Sequence, residues 1–597
     1  MWGSTLSLSD IEQRIHGVTR FLSVTLSIAN AHTVDFYTRD VWTRFVALTP
    51  EEVLSAVSSS SGQQGEPEPK AKDQPRTTFG FCCETNRLVD IHELLQAARA
   101  HSLPGLGVCW SREELLQGLR GAGPEGGAAP AETGRSDEGA ELETEEFMNS
   151  KKSHEVQAMS EVVACLAQRC GVKQVIDVGS GKGYLSSFLS LRYGLRVYGI
   201  DSSSTNTHGA QERNRKLKKF SRVYQRHSKA ARDVREAAHS PPEELGVERK
   251  PGAIGDRGVL CGAAGGAVSQ DEEEKVLNVL SDVSPTTNPA TDELFLSALS
   301  VDVIEAPSPR VPPGQLSEEE RERRKRDNLE RKALNRGEGA ATVFSPLTSY
   351  VTADTELREL IDKLEDAVVV GLHTCGDLAP STLQMFVAKP ELAAVCSVGC
   401  CYHLLSEEFD PDAQECLHSA CGFPLSRYLR GQSCFCGRNA RMSACLALER
   451  VSLGQGIQLE SLFYRAVLHV ILRDHYSSYK SEKRVGKVYS KAKSFVDYVR
   501  RALRRLELDE SKLSDDVIQG YHDTHRPRMG EMDAFNMLKV TLAPCIEGLI
   551  LLDRLCFMKE QESVSLSALV QLFDPLLSPR CYGVIGLKSR DDRITSQ

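Results

Sequence analysis

One pattern between residues 174 and 201 restricts the fold more than any other. A short apolar run, QVIDV, is followed by three glycines in GSGKG, by a helix-length segment through Leu185, Phe188 and Leu189 that stops at Gly194, and by a second apolar run, LRVYGID, ending in an acid. Strand, glycine-rich turn, helix and strand open a doubly wound sheet, because two parallel neighbours need a long crossover and the usual crossover is a helix. AVVVGLHTCG and AAVCSVGCCY are β-branched runs ending in loops, and they predict two more buried parallel strands. SPRCYGVIGLK alternates like a last strand. The fold class expected is α/β, with a Rossmann-like sheet.

The chain has 597 residues, too many for one undivided core, and interruptions are easy to place. Helical apolar spacing marks an N-terminal region, 1–57, followed by a Ser/Gly/Pro-rich linker, 58–76, a short ordered region, 77–119, and a second linker, 120–146. KKSHEVQAMSEVVACLAQRCG then predicts a helix with Ser153 as N-cap, an apolar stripe through Val156, Met159, Val163 and Leu166, and Gly171 as its stop. The sheet domain is expected in two halves, 147–225 and 341–597, around a disordered insertion at 226–340 whose charge and Pro/Gly content cannot bury enough apolar surface to order itself. The second half is expected to carry a helical insertion, with Pro544 opening a further helix through Leu549, Leu552 and Leu555.

Three readings of the glycines compete. A phosphate-gripping P-loop needs GxxxxGK[ST]; Gly179, Gly181 and Gly183 are too close together and Lys182 precedes glycine rather than a hydroxyl. A dinucleotide loop needs GxGxxG/A, and Tyr184 stands where the third small residue belongs, which weakens that reading. DVGSGKG is similar to the acid-GxGxG loop of Rossmann-like S-adenosylmethionine-dependent methyltransferases. Glycines there strip side chains from the backbone against which the cofactor lies. Asp201, at the end of the next strand, is placed to accept from both ribose hydroxyls.

KKSHEVQAMSE, VIDVGSGKGYLSSFLS, YGIDSSSTNTHGAQERNRK, VGLHTCGDLAPSTL, CSVGCCYHLL and CGRNARMSACLALER resemble the methyltransferase-like protein 25 family. The resemblance spans about 147–225 and 342–590. It implies a class I methyltransferase sheet and S-adenosyl-L-methionine as cofactor. The expected cofactor contacts are Asp177, Gly179, Ser180, Gly181, Gly183, Tyr184, Asp201, Ser202 and Cys375, with Lys152 and Glu155 of KKSHE added by the likeness. HTCGDL and CCYH are also similar to short stretches of a tRNA ribose methyltransferase family.

His373, Cys375, Gly376 and Asp377 follow a predicted strand at the carboxyl edge of the sheet, where ligands of open α/β sheets bind. The loop has no Asn-Pro-Pro-Tyr cradle for a planar amine, which argues against adenine N6 methylation. Methyl transfer from a sulfonium is an in-line displacement governed by positioning, and a base is needed only when the acceptor must lose a proton. Asp377 and His373 are the candidates for that base, beside the plainer reading that they shape the loop.

Two side-chain clusters remain. Cys396, Cys400, Cys401, His403, Cys434, Cys436 and Cys445 concentrate soft ligands, and Cys400, Cys401, His403 and Cys436 could close a tetrahedral zinc site. The spacing is not paired CxxC, however, and free cysteine is commonly a small core residue, so no metal is expected. Lys480–Arg505 interleaves basic residues with Tyr489, Phe495 and Tyr498 and could follow an RNA backbone, with RNRKLKK after Asp201 as a second basic stretch. A formal charge of −10 gives no global attraction to nucleic acid, so any such binding must be local. No secretory or transit signal is read at the N-terminus. No apolar run approaches membrane-spanning length, since Glu547 and Asp553 interrupt the richest one, and the 18 cysteines read as reduced thiols or metal ligands. The expected protein is a soluble cytoplasmic or nuclear methyltransferase acting on ribosomal or transfer RNA. The alternatives are a protein or small-molecule acceptor, or a noncatalytic S-adenosylmethionine-binding interaction protein.

Overall fold

The protein builds its main sheet from β3 (Cys109–Ser111), β4 (Gln174–Val178), β5 (Arg196–Asp201), β6 (Ser345–Thr348), β7 (Ala367–Cys375), β8 (Leu392–Cys400), β9 (Val564–Gln571) and β10 (Tyr582–Lys588). A separate hairpin pairs β1 (Thr77–Thr78) with β2 (Phe81–Cys82). The computed structural model describes residues 6–59, 76–121, 149–214, 344–410, 421–446, 451, 458–476, 485–486 and 488–589. The expected insertion at 226–340 lies outside the described residues, as do the expected linkers apart from residues at their margins.

The strand order is β3-β9-β10-β8-β7-β4-β5-β6. β4 pairs in parallel with both β5 and β7, β7 with β8, and β5 with β6, while β10 runs antiparallel between β8 and β9. Every residue of β4 and β8 is buried, which explains why these strands read as continuous apolar runs rather than alternations. β9 and β3 escape the sequence reading: Ser565, Ser567 and Gln571 interrupt the apolar residues of β9, and β3 is three residues long. β3 joins the sheet in parallel with β9, so the short ordered region contributes the outermost strand. The chain leaves β4 toward β5 and β6 on one side and returns to β7 and β8 on the other. The carboxyl ends of β4 and β7 therefore flank the point where strand order reverses, the crevice in which open α/β sheets bind ligands.

The helix Ser150–Cys170 is capped by Asn149, whose side chain accepts from the Lys152 N–H at 2.8 Å. Ser153, the expected cap, instead lies inside the first turn, and Gly171 at φ 68° ends the helix as expected. The expected start at Pro544 is corrected: Pro544 sits within one long helix, Met529–Lys559. An interior proline costs about 3 kcal/mol, but this helix is buried around most of its circumference, and that packing outweighs one missing hydrogen bond. An apolar window within Asp515–Lys559 is long enough to cross a membrane, contrary to expectation. Since 89% of it is buried inside the protein, it is accounted for as core helix. Its acids are paired. Glu547 accepts from Tyr402 Oη and Arg580, both at 2.8 Å, and Asp553 accepts from the Leu425 and Ser426 N–H groups and the Ser426 hydroxyl. The N-terminal helix Leu8–Asn30, opened by a Ser7–Asp10 capping box, packs along this core helix.

Candidate active site

The turn after β4 is held by backbone bonds: the Gly179 and Ser180 N–H groups donate to the Ile200 carbonyl at 2.8 and 3.2 Å, and the Gly183 N–H donates to Ser180 O at 2.9 Å. Gly179, Gly181 and Gly183 all have positive φ, a region L side chains enter only with strain. Two of them show why the position is glycine. A Cβ on Gly183 would lie 2.2 Å from the Phe344 ring, whereas one on Gly181 would meet nothing within 4 Å and would project into open space over the loop. The Ser180 hydroxyl is buried with no partner among the described residues. The bare, left-handed strip at Gly181 fits a cofactor laid along it, while the orphaned Ser180 hydroxyl packs toward Gly199 of β5.

The two acids of this loop do different things. Asp177 is buried beneath the turn and accepts from the Ser186 hydroxyl at 2.6 Å; burial pushes its carboxyl up to about 7. Asp201 accepts from the Gly181 N–H at 3.0 Å, the Ser203 N–H at 2.8 Å and Asn206 Nδ2 at 3.1 Å. A carboxylate offers about four lone pairs, so about one remains for a ribose hydroxyl before a loop bond must yield. Tyr184 lies under the Arg213 guanidinium, 3.9 Å from ring centroid to Cζ, and Ser202 follows Asp201 at the end of β5.

Across the crevice, His373 enters near the end of β7. Its carbonyl oxygen would lie 3.5 Å from a Cβ on Gly179, so the loop after β7 and the glycine turn are neighbours. Its Nε2 stands 2.6 Å from Lys152 Nζ and 3.1 Å from Glu155 Oε2, while Lys152 Nζ donates to Glu155 Oε2 at 2.8 Å. Glu155 is fully buried and its other oxygen accepts from the Ser578 hydroxyl at 2.8 Å. Burial alone would raise that carboxyl, but the hydrogen bond from His373 and the charges of His373 and Lys152 hold it well below the usual range. Asp377 turns elsewhere: it accepts from the Ser406 N–H at 2.8 Å and packs against Gly422, with burial raising its carboxyl.

Cys375 differs from the expected cofactor contact in its surroundings. It faces Cys400 in register across β7 and β8, with their sulfurs 3.0 Å apart, and Cys401 completes a trio whose sulfurs lie within 4.8 Å of one another. Hydrogen bonds from Cys400 and Cys401 pull the Cys375 thiol down to about 4. Of the four candidate ligands weighed for a metal, only Cys400 and Cys401 come together. His403 sits at the Cys445 sulfur, 3.9 Å away, and the Cys436 backbone is bound to Glu407, so neither joins Cys400 and Cys401. The described cysteines are free except Cys421, which is disulfide-bonded and so departs from the expectation of reduced thiols.

Residues 151–408 match the family model described as a methyltransferase domain. Probable methyltransferase-like protein 25 of Mus musculus is 48% identical over 98% of both chains, and its Homo sapiens counterpart 46% identical over 98% of both. The chain belongs to the methyltransferase-like protein 25 family. No solved structure matches.

In this family member the matched region runs from KKSHE to just past CCYH and carries the glycine turn, Asp201, His373 and the thiol trio. Three residues of the site escaped the sequence reading. Ser186, Asn206 and Ser578 each supply one side-chain hydrogen bond to a site carboxylate, and serine and asparagine are too common in loops and helix starts for sequence to mark them. The basic stretch also looks different in three dimensions. Lys480 lies outside the described residues, while Arg500, Arg501 and Arg504 pair with Asp515, Asp497 and Glu510 at 2.6, 2.8 and 2.8 Å.

Proposed function

We propose that the protein transfers a methyl group from S-adenosyl-L-methionine, bound along Gly179–Gly183 and Asp201, to an acceptor presented at the loop that begins with His373. The observation that carries this reading is the meeting of the glycine turn and the His373 loop across the β4/β7 reversal point. The cofactor supplies an electrophilic methyl on sulfur. The chain supplies the rest: an open strip of left-handed backbone, Asp201 pre-set by Gly181, Ser203 and Asn206, and a histidine already backed by a buried carboxylate. An acceptor proton taken at the His373 ring nitrogen that does not face Glu155 would give an imidazolium whose Nε2–H is held by the Glu155 carboxylate. Asp377, bonded to the Ser406 turn, is read as a positioning residue for that turn.

RNA as acceptor drew its support from the basic stretch, and three of its arginines are engaged by carboxylates. RNA therefore stands beside protein and small molecules as a fraction to be assayed. Calorimetry with S-adenosylmethionine tests the cofactor reading; absence of binding, together with no effect of Asp201→Ala, sinks it. Labelled cofactor incubated with RNA, proteome and metabolite fractions from cells lacking the protein tests transfer. Binding without label in any fraction would leave a cofactor-sensing protein rather than an enzyme.

A further inference from the structure

Cys375, Cys400 and Cys401 are brought together by strand register and one tight turn. Cys375 and Cys400 face each other across parallel β7 and β8, and Cys401 directly after β8 takes the left-handed conformation, φ 50°, which brings its sulfur back toward the other two. A Zn–S bond of about 2.3 Å in a tetrahedral site puts sulfurs roughly 3.8 Å apart. The Cys375 and Cys400 sulfurs stand 3.0 Å apart and all three lie within 4.8 Å of one another, so one ion could reach all three once Cys375 and Cys400 move slightly apart.

A second observation is independent of the sulfurs. Arg554 is among the largest fully buried side chains, and its Nε and Nη2 have no partner among the described residues. Its Nη1 lies where a Cβ on Gly399 would be, 2.2 Å away, so residue 399 must lack a side chain for the guanidinium to reach the strand that ends in Cys400. Its guanidinium lies over the Tyr402 ring, 5.7 Å from the centroid, and its field reaches Asp553, Cys400 and Asp377. A buried cation is costly to desolvate, and further negative charge beside the end of β8 would lower that cost. Three thiolates around one divalent ion carry a net charge of −1, which would offset this guanidinium.

We propose that Cys375, Cys400 and Cys401 bind one thiophilic metal ion of the zinc class. Three protein sulfurs leave the fourth position to solvent or to an incoming ligand on the side where Cys375 is exposed, the arrangement of an open rather than a closed site. Binding forms three metal–sulfur bonds and releases to solvent the protons still held by the thiols. The site stands at the same sheet edge as the glycine turn but does not depend on the methyl-transfer reading.

The test uses the full-length protein, reduced and stripped with a chelator, then titrated with Co²⁺ and afterwards with Zn²⁺. One equivalent of Co²⁺ with a thiolate-to-cobalt charge-transfer band, displaced by one equivalent of Zn²⁺, is expected. Cys375→Ser and Cys401→Ser should each weaken binding by at least the roughly 10- to 100-fold that even outer-shell changes produce, while Cys436→Ser leaves it unchanged. Cys375 is exposed, so its variant should melt like wild type without metal and lose only the zinc-induced rise in Tm; it decides the matter should Cys400→Ser fail to fold. No stoichiometric ion in the reduced protein, a Cys375–Cys400 disulfide in place of metal, a band surviving in Cys375→Ser, or equal loss in Cys436→Ser each overturns the proposal.

Discussion

Lys152 Nζ and His373 Nε2 stand 2.6 Å apart, and both reach the same oxygen of Glu155. Residues 221 positions apart in sequence are thus joined through one buried anion. Glu155→Gln keeps the shape and removes the charge, leaving a lysine and a histidine facing each other with nothing between. Breaking a buried pair of this kind typically costs about 3–5 kcal/mol. Because the Glu155 carboxyl is held low in the folded state, its contribution is present above the ordinary carboxylate range and is lost only as pH falls through the folded value. The destabilisation of Glu155→Gln, read by thermal melts, should therefore already be present at about pH 6 and shrink only as pH falls below the ordinary carboxylate range. A loss that appears only above neutrality would contradict this account.

Asp177 has the opposite sign. Its folded-state carboxyl is raised to about 7 from an ordinary 3.8, so its protonated form is favoured by folding. That stability is complete below the unfolded value, declines as pH rises, and is gone above the folded value. Asp177→Asn mimics the protonated acid beside Ser186 at every pH. Relative to wild type it should gain roughly 2–3 kcal/mol between about pH 5 and pH 8, measured by urea unfolding at both. A constant difference across that range would show that Asp177 does not titrate there.

These two acids also mark how far sequence reaches. VIDVGSGKGYL and LRVYGID exposed the sheet because buried parallel strands are continuously apolar and because glycines at alternate positions have few uses. The same letters could not say that Asp177 faces Ser186 beneath the turn, or that Asp201 would spend three of its lone pairs on its own loop. Those facts depend on where helix starts land after folding. KKSHE and HTCGDL were legible as motifs, but their union at Glu155 requires the helix Ser150–Cys170 to approach the end of β7, and no local pattern encodes that. The thiol trio was missed for a similar reason. CCYH with CFC suggested a ligand set completed by Cys436, downstream in the chain, while the neighbour of Cys400 is its register partner upstream on β7. Proline at 544 misled because propensity is local and the burial that overrides it is not.

The glycine turn allows stability and cofactor binding to be separated. Alanine at 183 or at 181 meets a left-handed backbone, which costs about 1–2 kcal/mol. At 183 the new methyl also collides with Phe344, so Gly183→Ala should lose stability well beyond that figure. At 181 the methyl enters open space, so Gly181→Ala should lose about 1 kcal/mol while weakening S-adenosylmethionine binding by about tenfold or more. Calorimetry on the two variants checks this. Undiminished binding by Gly181→Ala would remove the open strip from the cofactor site.

The basic helix offers a contrast between two physical roles for the same arginine. Arg500 pairs with Asp515 and donates to the carbonyls of Glu510 and Leu513, so it fastens the turn after its helix to the helix itself. An arginine spent in this way has little left for phosphate. If Arg500 followed an RNA backbone, Arg500→Ala would weaken RNA binding uniformly and reduce the dependence of log K on log salt by about one. If it fastens the turn, the variant should leave any salt dependence unchanged and lower stability by about 1–2 kcal/mol, as expected for charged hydrogen bonds to backbone carbonyls. Filter binding to total RNA across a salt series, run beside thermal melts of the same preparation, distinguishes the two. A reduced slope with an unchanged melt would return this face to nucleic acid; an unchanged slope with a lower Tm places the arginines in the architecture and moves the search for the acceptor to the crevice between the glycine turn and His373.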